Sequence, residues 1–266
     1  MAIADELLQH LAESLAGRPV PAVRDLHLPR EATRGRKDGE FCLLELDDGS
    51  LGLSFVLLGD ALPRLRALAP AGQDPLALAQ GWLGDEPAGA ALGLAAVNAL
   101  SRHLFDRAGF VPPAATESLA GLAPRAGDHL GMVGLFPPLI APALAQGARL
   151  TVLELRADLA GPREGYRVTL DPEDLATCNK LLITSSALLN RSLDGLLAQA
   201  PKAQEVALVG PGAGCVPDVL FRHGVTALAG TWITDGSALC RAVREGVPWA
   251  ACTRKFLLRR AIPGRP

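Results

Sequence analysis

The sequence predicts an α/β protein in two parts: a small α+β unit, then a parallel sheet with helices on both faces. Three observations predict this. A hairpin and a long, almost wholly apolar helix fill the first part. A Pro- and Gly-rich stretch, Phe110 to Gly127, then breaks the pattern and reads as a linker, dividing the chain into residues 1–118 and 119–266. Beyond it, short apolar runs alternate with helical patterns through brief turns, as parallel strands joined by crossover helices do.

In the first part, Ile3, Leu7, Leu8, Leu11 and Leu15 recur at helical spacing, and Gly17 and Pro19 stop that helix. Val20 to Leu28 reads as a strand. Glu40 to Asp47 and Leu51 to Leu58 are two more. Asp47-Asp48-Gly49-Ser50 joins them, and its Asp-Gly step supplies the positive φ of a tight turn. Ala77 to Leu83 reads as a short helix. Pro87 to Arg107 reads as a long one, apolar on nearly every side from Ala88 to Leu100 and therefore buried. Asn98 is the one fully polar side chain in its middle.

In the second part, strands are expected at His129–Val133, Arg149–Leu155, Lys180–Thr184, Glu205–Val209 and Thr226–Ala229. Helices are expected at Ser192–Gln199, Val216–His223 and Ser237–Glu245. The uncharged stretch Leu130 to Ala148 has the length of a short membrane span, but Pro137, Pro138 and Pro142 argue against a continuous helix there.

Composition narrows the function classes. Hydrophobic residues at 49% and charged residues at 20% exclude a disordered chain. A net charge of −2 argues against a dedicated nucleic-acid binder. The start, Met-Ala-Ile-Ala-Asp-Glu, lacks the basic opening and apolar run of a signal peptide. Cys42, Cys178, Cys215, Cys240 and Cys252 are widely spaced without C-x-x-C, so they read as small buried hydrophobes in a reducing compartment. The expectation is a cytoplasmic protein that binds neither membrane nor nucleic acid, with homo-oligomerisation left open.

In an open parallel sheet, ligands bind beyond the carboxyl ends of the strands, where strand order reverses. The residues expected there are Gly134 to Pro138, Glu154, Thr184-Ser185-Ser186, Gly210 to Gly214, and Thr234-Asp235. Glu154 lies 20 residues beyond Gly134, the spacing at which a Rossmann acid reaches a ribose. Yet the turn is Gly-Leu-Phe-Pro-Pro. Pro137 and Pro138 remove two backbone donors and Phe136 adds bulk, so NAD is disfavoured. Gly210 to Gly214 is a better anion site if Gly212, Ala213, Gly214 and Cys215 present N–H groups at a helix start; the alternative is a tight turn without a ligand. Thr184, Ser185 and Ser186 offer three hydroxyls and Asn190 an amide, of which N-capping accounts for one. Asn98 must bond to protein, water or a ligand, because an unpaired buried amide costs about 1–3 kcal/mol. The histidines are scattered without H-x-x-x-H, and no preformed histidine metal site is legible. Arg254, Lys255, Arg259 and Arg260 read as a solvated basic edge.

Four motifs then occur in order: Gly131-Met-Val-Gly-Leu-Phe-Pro-Pro, Thr151-Val-Leu-Glu154, Ile183-Thr-Ser-Ser-Ala-Leu-Leu-Asn190 and Val209-Gly-Pro-Gly-Ala-Gly. Together they resemble the family described as "putative heavy-metal chelation". The first part, with Leu94-Ala-Ala-Val-Asn98-Ala, is similar to the enolase N-terminal-like domain that usually precedes it. The resemblance covers nearly the whole chain. It implies a Rossmann-like second domain, a site in the cleft between domains, and a role in handling metals or making a metal chelator. Two positions depart from the family pattern. Leu135 stands where a polar residue or His is common, and Gly212-Ala213 where Ser or Thr follows Gly-Pro. Both departures leave backbone N–H groups as the main contacts.

The combined expectation is a small polar or anionic ligand in the interdomain cleft. Glu154 and Asp235 would supply charge or acceptors, and Gly210, Gly212 and Gly214 donors, beside Gly134 and Phe136. Thr184, Ser185 and Asn190 would orient the ligand and Asn98 would reach in from the first domain. The residues leave the ligand's identity open; the resemblance, and not any ligand spacing, implies a transition metal or a metal chelate. Three functions stay open: a non-enzymatic binder, an enzyme of metal-chelator or cofactor biosynthesis using a nucleotide-like cosubstrate, and a structural or regulatory module whose cleft is vestigial. The lack of an evident nucleophile, base pair or cofactor fingerprint favours the binder.

Overall fold

The computed structural model describes residues 1–30, 40–57, 59–116 and 119–261. Leu58, the end of one expected strand, and residues 117–118 at the expected boundary lie outside the described residues. The front part runs α1 (Ile3–Leu15), β1 (Val23–His27), β2 (Phe41–Leu46), β3 (Leu51–Phe55), α2 (Ala61–Leu65), α3 (Pro75–Ala79), a 3-10 turn (Gln80–Leu83) and α4 (Pro87–Arg107). Its three strands form an antiparallel sheet in the order β1-β2-β3. Gly49 turns the β2–β3 hairpin at φ +88°. The Asp48 carboxylate holds that turn, accepting from the Ser50 N–H at 2.9 Å and the Ser50 hydroxyl at 3.1 Å. His103 of α4 reaches the same carboxylate at 2.6 Å.

Period-two alternation on β2 sends its residues to two different cores. Cys42, Leu44 and Leu46 pack with α1 and α4. Phe41 and Leu43 join a separate cluster with Ile233, Leu239, Val243 and Trp249 of the rear part. The front sheet is thus covered on both faces, which is why β2 and β3 are almost continuously buried. β3 lies directly on α4. A Cβ at Gly52 would overlap the Ala95 carbonyl and the Ala99 amide, and one at Gly93 would overlap the Trp82 backbone.

The rear part runs β4 (His129–Val133), α5 (Pro137–Ala145), β5 (Arg149–Leu153), β6 (Gly161–Arg163), β7 (Tyr166–Thr169), β8 (Lys180–Thr184), α6 (Ser186–Leu189) and α7 (Leu193–Gln199). It continues with β9 (Glu205–Val209), α8 (Asp218–Arg222), β10 (Ala227–Ile233), α9 (Gly236–Glu245) and β11 (Thr253–Arg259). The strand order is β11-β10-β9-β8-β4-β5-β7-β6. β10 through β7 are parallel, and β11 and β6 pair antiparallel at the two ends. From β4 the chain builds outward through β5 to β7, then returns to β8 on the other side of β4. The reversal of order therefore lies between β4 and β8.

Several elements differ from the sequence reading. β6 and β7 form where no strand was expected. The basic edge is strand β11: Phe256, Leu257 and Leu258 are buried, while Arg254 and Arg259 bond to the carbonyls of Pro112 and Gly121. Residues 113–115 lie along its outer edge, bonding from the Leu257 N–H to the Pro113 carbonyl and from the Ala115 N–H to the Lys255 carbonyl. α5 forms despite Pro142. Its first turn is Pro137-Pro138, where no N–H donor is required. Among the described residues no helix is long and apolar enough to cross a membrane.

One hydrophobic cluster runs through both parts, joining α1 and α4 to Leu181, Ile183, Leu208 and Leu228 of the rear sheet. Trp82 also crosses between them, donating from its indole to the Leu188 carbonyl at 2.9 Å.

Gly52→Ala should destabilise the protein by about 1–3 kcal/mol or more, since neither clashing partner is a movable side-chain tip. A lowered urea midpoint at unchanged slope checks this. Acid should act through Asp48. Burial pushes its carboxyl up, but bonds from His103 and Ser50 outweigh that and hold it below the ordinary carboxylate range. A depressed folded pKa gives stability that is complete above the unfolded pKa and is lost as pH falls through the folded one. Stability should therefore drop on acidification below about pH 4, and Asp48→Asn should flatten that limb of a urea-midpoint profile.

Candidate functional site

β4 and β8 end side by side, with Val133 opposite Ile183. Gly134 follows at φ +86°, a conformation that favours glycine. A Cβ there would press the Thr184 Cβ at 3.3 Å and reach the Phe136 ring at 3.7 Å. Gly134, Phe136 and Thr184 thus lie together at the reversal of strand order. Beside it, the Ser185 N–H donates to the Val209 carbonyl at 2.7 Å and brings the Gly210 turn alongside. Gly210 has φ +140°, and a Cβ on it would overlap the Ser185 hydroxyl. A Cβ on Gly212 would come within 3.3 Å of the same oxygen.

The hydroxyls divide by role. Thr184 Oγ1 accepts from the Ser186 N–H at 3.3 Å and donates to the Ser186 hydroxyl at 3.3 Å, so it serves the start of α6. Ser185 is 6% exposed, and its hydroxyl has no partner among the described residues. Glu154 is occupied by backbone. Its carboxylate accepts from the Leu135 N–H at 3.0 Å, the Leu155 N–H at 2.8 Å and the Arg156 N–H at 3.4 Å. It ties the loop after β4 to the loop after β5.

Asn98 meets the same turn from the front. Its amide donates to the Leu53 carbonyl at 2.8 Å and the Gly212 carbonyl at 2.9 Å. Gly214 packs against it, where a Cβ would stand 3.3 Å from Asn98 Cγ. Ser101 adds a second tie, accepting from the Val216 N–H at 3.1 Å. The front part therefore clamps the turn at this point. Beside the clamp is a cavity of about 20 Å³, lined by Asn98, Gly214, Trp232 and Phe256, which suits a water and not a cofactor.

The structure places Gly134, Phe136, Glu154, Thr184, Ser185, Gly210 and Gly212 in neighbouring turns at the strand ends, with Asn98 and Gly214 against the last of these turns. It sets two expected residues apart. Asn190 is exposed and accepts from the Ser192 N–H at 3.1 Å, forming the turn into α7. Asp235 is exposed at the end of β10, two strands beyond β8, and caps α9 through the Ala238 N–H at 2.9 Å. The Gly210–Gly214 turn also departs from a helix-start anion site. α8 begins only at Asp218, and the Ala213 N–H is taken by the Gly210 carbonyl.

The described cysteines are free. Burial pushes the thiols of Cys42 and Cys215 up to about 12 and those of Cys178 and Cys240 to about 11, so none of the four is a ready nucleophile. Among the described residues, one group of His, Cys and carboxylate side chains is close enough to share an ion: His27, Glu45 and Cys240. No preformed histidine metal site is legible in the sequence, and this group is one that the sequence reading did not single out. The group comes from β1, β2 and α9, so no local spacing announces it.

Residues 119–262 match the family described as "putative heavy-metal chelation", DUF364. Residues 39–101 match a second family model with the same description, DUF4213. The first match spans more than half of the sequence, and the chain belongs to the DUF364 family. Two crystal structures of DUF364 proteins of unknown function are similar. One, from Desulfitobacterium hafniense, is 23% identical at TM-score 0.73 and covers 96% of this chain and 99% of its own. The other, from Pyrococcus horikoshii, is 18% identical at TM-score 0.72 and covers 97% and 100%. At these identities the likeness establishes a shared fold. No curated protein matches.

Asn98→Ala should destabilise the chain by about 2 kcal/mol or more, because the Leu53 and Gly212 carbonyls both lose a buried donor. Asn98→Asp should be worse, since it sets a charge against two acceptors. Urea unfolding of both variants checks the order.

Proposed function

From this family membership and the reversal of strand order between β4 and β8, we propose that the protein binds a small polar, anionic ligand, a heavy metal carried as its chelate, without transforming it. The observation that carries this reading is Ser185. The residue is 6% exposed, its hydroxyl makes no hydrogen bond to another described residue, and a Cβ on Gly210 would overlap that oxygen. A hydroxyl with spare hydrogen-bonding capacity can donate to a ligand acceptor. In this reading Ser185 donates to the ligand. Gly134 and Thr184 form the floor and Phe136 an apolar wall. Asn98 acts from behind, fixing the turn that carries Gly210 and Gly212.

A second reading has its own observation. The central strand order β7-β5-β4-β8-β9-β10 is that of dinucleotide-binding sheets, which favours an enzyme with a nucleotide-like cosubstrate. Against it, the acid that would hold a ribose, Glu154, already accepts three backbone N–H groups.

Native mass spectrometry of the untreated protein separates the two. The binder should retain a metal chelate, and the enzyme an adenosyl or nicotinamide compound. Calorimetry with the citrate complexes of Ni(II), Co(II) and Zn(II) should give a Kd near ~1 μM or tighter, a binding free energy of about −8 kcal/mol. Ser185→Ala should weaken it about tenfold while the fold persists. Flat titrations with every complex, together with no retained mass, would overturn the reading.

A further inference from the structure

A second polar group lies on the opposite seam between the two parts. His27 ends β1, Glu45 lies on β2 and Cys240 on α9. Asp25 pairs with Glu45 and His27 with Leu43, which belongs to the cluster under α9. The group therefore sits between the front sheet and that helix. His27 is 2% exposed and Cys240 5%. Glu45 Oε2 lies 2.8 Å from His27 Nε2 and 4.0 Å from Cys240 Sγ. The three donor atoms all lie within 4.8 Å of one another.

The plain account is a His–Glu hydrogen bond beside a buried cysteine. It leaves the buried His27 Nδ1 without a hydrogen bond. It also sets a thiol against a carboxylate at 4.0 Å, where the contact contributes little. A shared cation accounts for the second feature, and it makes Nδ1 the protonated nitrogen, a donor on the side of Asp25. A tetrahedral ion bound to imidazole, carboxylate and thiolate holds those donors about 3.4–3.6 Å apart. The observed 2.8 and 4.0 Å bracket that range, and the flexible Glu45 side chain can close the difference. With Nε2 on an ion, the other ring nitrogen needs an acceptor to fix its tautomer. Asp25 Oδ2 stands 3.5 Å from Nδ1, and Arg244 Nη1 stands 3.7 Å from the same oxygen.

We propose that His27, Glu45 and Cys240 form a site for one divalent ion of the zinc, cobalt or cadmium kind, with Asp25 orienting His27. The site is separate from the strand-end ligand and does not depend on it. One soft, one borderline and one hard donor select such ions over magnesium and calcium, which take oxygen ligands. Three protein donors leave one tetrahedral position open to an exchangeable ligand. The ion joins a helix of the rear part to two strands of the front.

The full chain, freed of metal with a chelator, is titrated with Co(II), whose thiolate charge-transfer absorption reports a cobalt–sulfur bond, and with Zn(II) by calorimetry. One equivalent should bind with that absorption. Cys240→Ser should abolish the band and weaken Zn(II) at least tenfold. Glu45→Gln should weaken Zn(II) at least tenfold, and Asp25→Asn about tenfold. Cys252→Ser should change neither reading, and metal-free urea midpoints of all variants report folding separately. Absence of the band in the wild-type protein overturns the site whether or not Cys240→Ser folds. So does a band that survives Cys240→Ser, or a Zn(II) affinity indifferent to Glu45→Gln. Ser185→Ala should leave the Co(II) titration unchanged, so failure at the strand ends and failure here are told apart.

Discussion

The apolar character of α4 governs the rest of the structure. A helix with Ala, Leu and Val on nearly every side has no face to give to water, so it must lie between two layers. The front sheet supplies one layer. Three short strands cannot bury such a helix by themselves, and the rear part supplies the rest. This one requirement draws the two parts into a common hydrophobic cluster. It also explains why the close approaches at Gly52 and Gly93 are glycines: each lets backbone lie on α4 at a distance no side chain permits.

The same burial decides what the polar residues at the junction can be. Inside α4 a polar group must find partners or cost stability, and Asn98 finds two carbonyls, one from each part. On the outer face of the front sheet, α9 covers β1 and β2 and shuts His27 and Cys240 away from water. The two seams differ in kind. The first is closed by an amide that donates to both sides, and the second brings together three potential ligand atoms.

Much of this was legible in the sequence where the physics is local. α4 runs from Pro87 to Arg107 as its periodicity says, because Glu86 caps the Ala88 and Gly89 amides and nothing before Arg107 breaks the helix. β4, β8 and β9 follow their apolar runs, since a strand buried on both faces needs little else. β11 was hidden because its charged residues reach backbone carbonyls of neighbouring segments. β6 was hidden because Gly161-Pro-Arg163 is too short to carry a pattern. At the site, the turn residues were legible but their employment was not. Glu154, Asn190 and Asp235 all looked available, and each is bound to nearby backbone. Whether an acid at a strand end faces a ligand or its own loop depends on which N–H groups are left over, and tertiary placement decides that.

The His27 group marks the limit of such reading. His27 and Glu45 are 18 residues apart, and Glu45 and Cys240 are 195 apart. Metal motifs are recognised in sequence when one element or one turn carries several ligands at fixed spacing. A site assembled from two strands and a distant helix has no such spacing, and its only local trace is the alternation that puts Asp25 and His27 on one face of β1. Leftover hydrogen-bonding capacity is a better guide. Folding satisfies nearly all buried polar atoms, so those left over mark places where packing alone does not account for the residue. Asn98 Oδ1 lies on the first seam, and His27 Nδ1 and Trp249 Nε1 lie on the second. Both seams exist because α4 and the front sheet cannot be buried without the rear part, so the demand that fixes the fold also places these atoms between its halves.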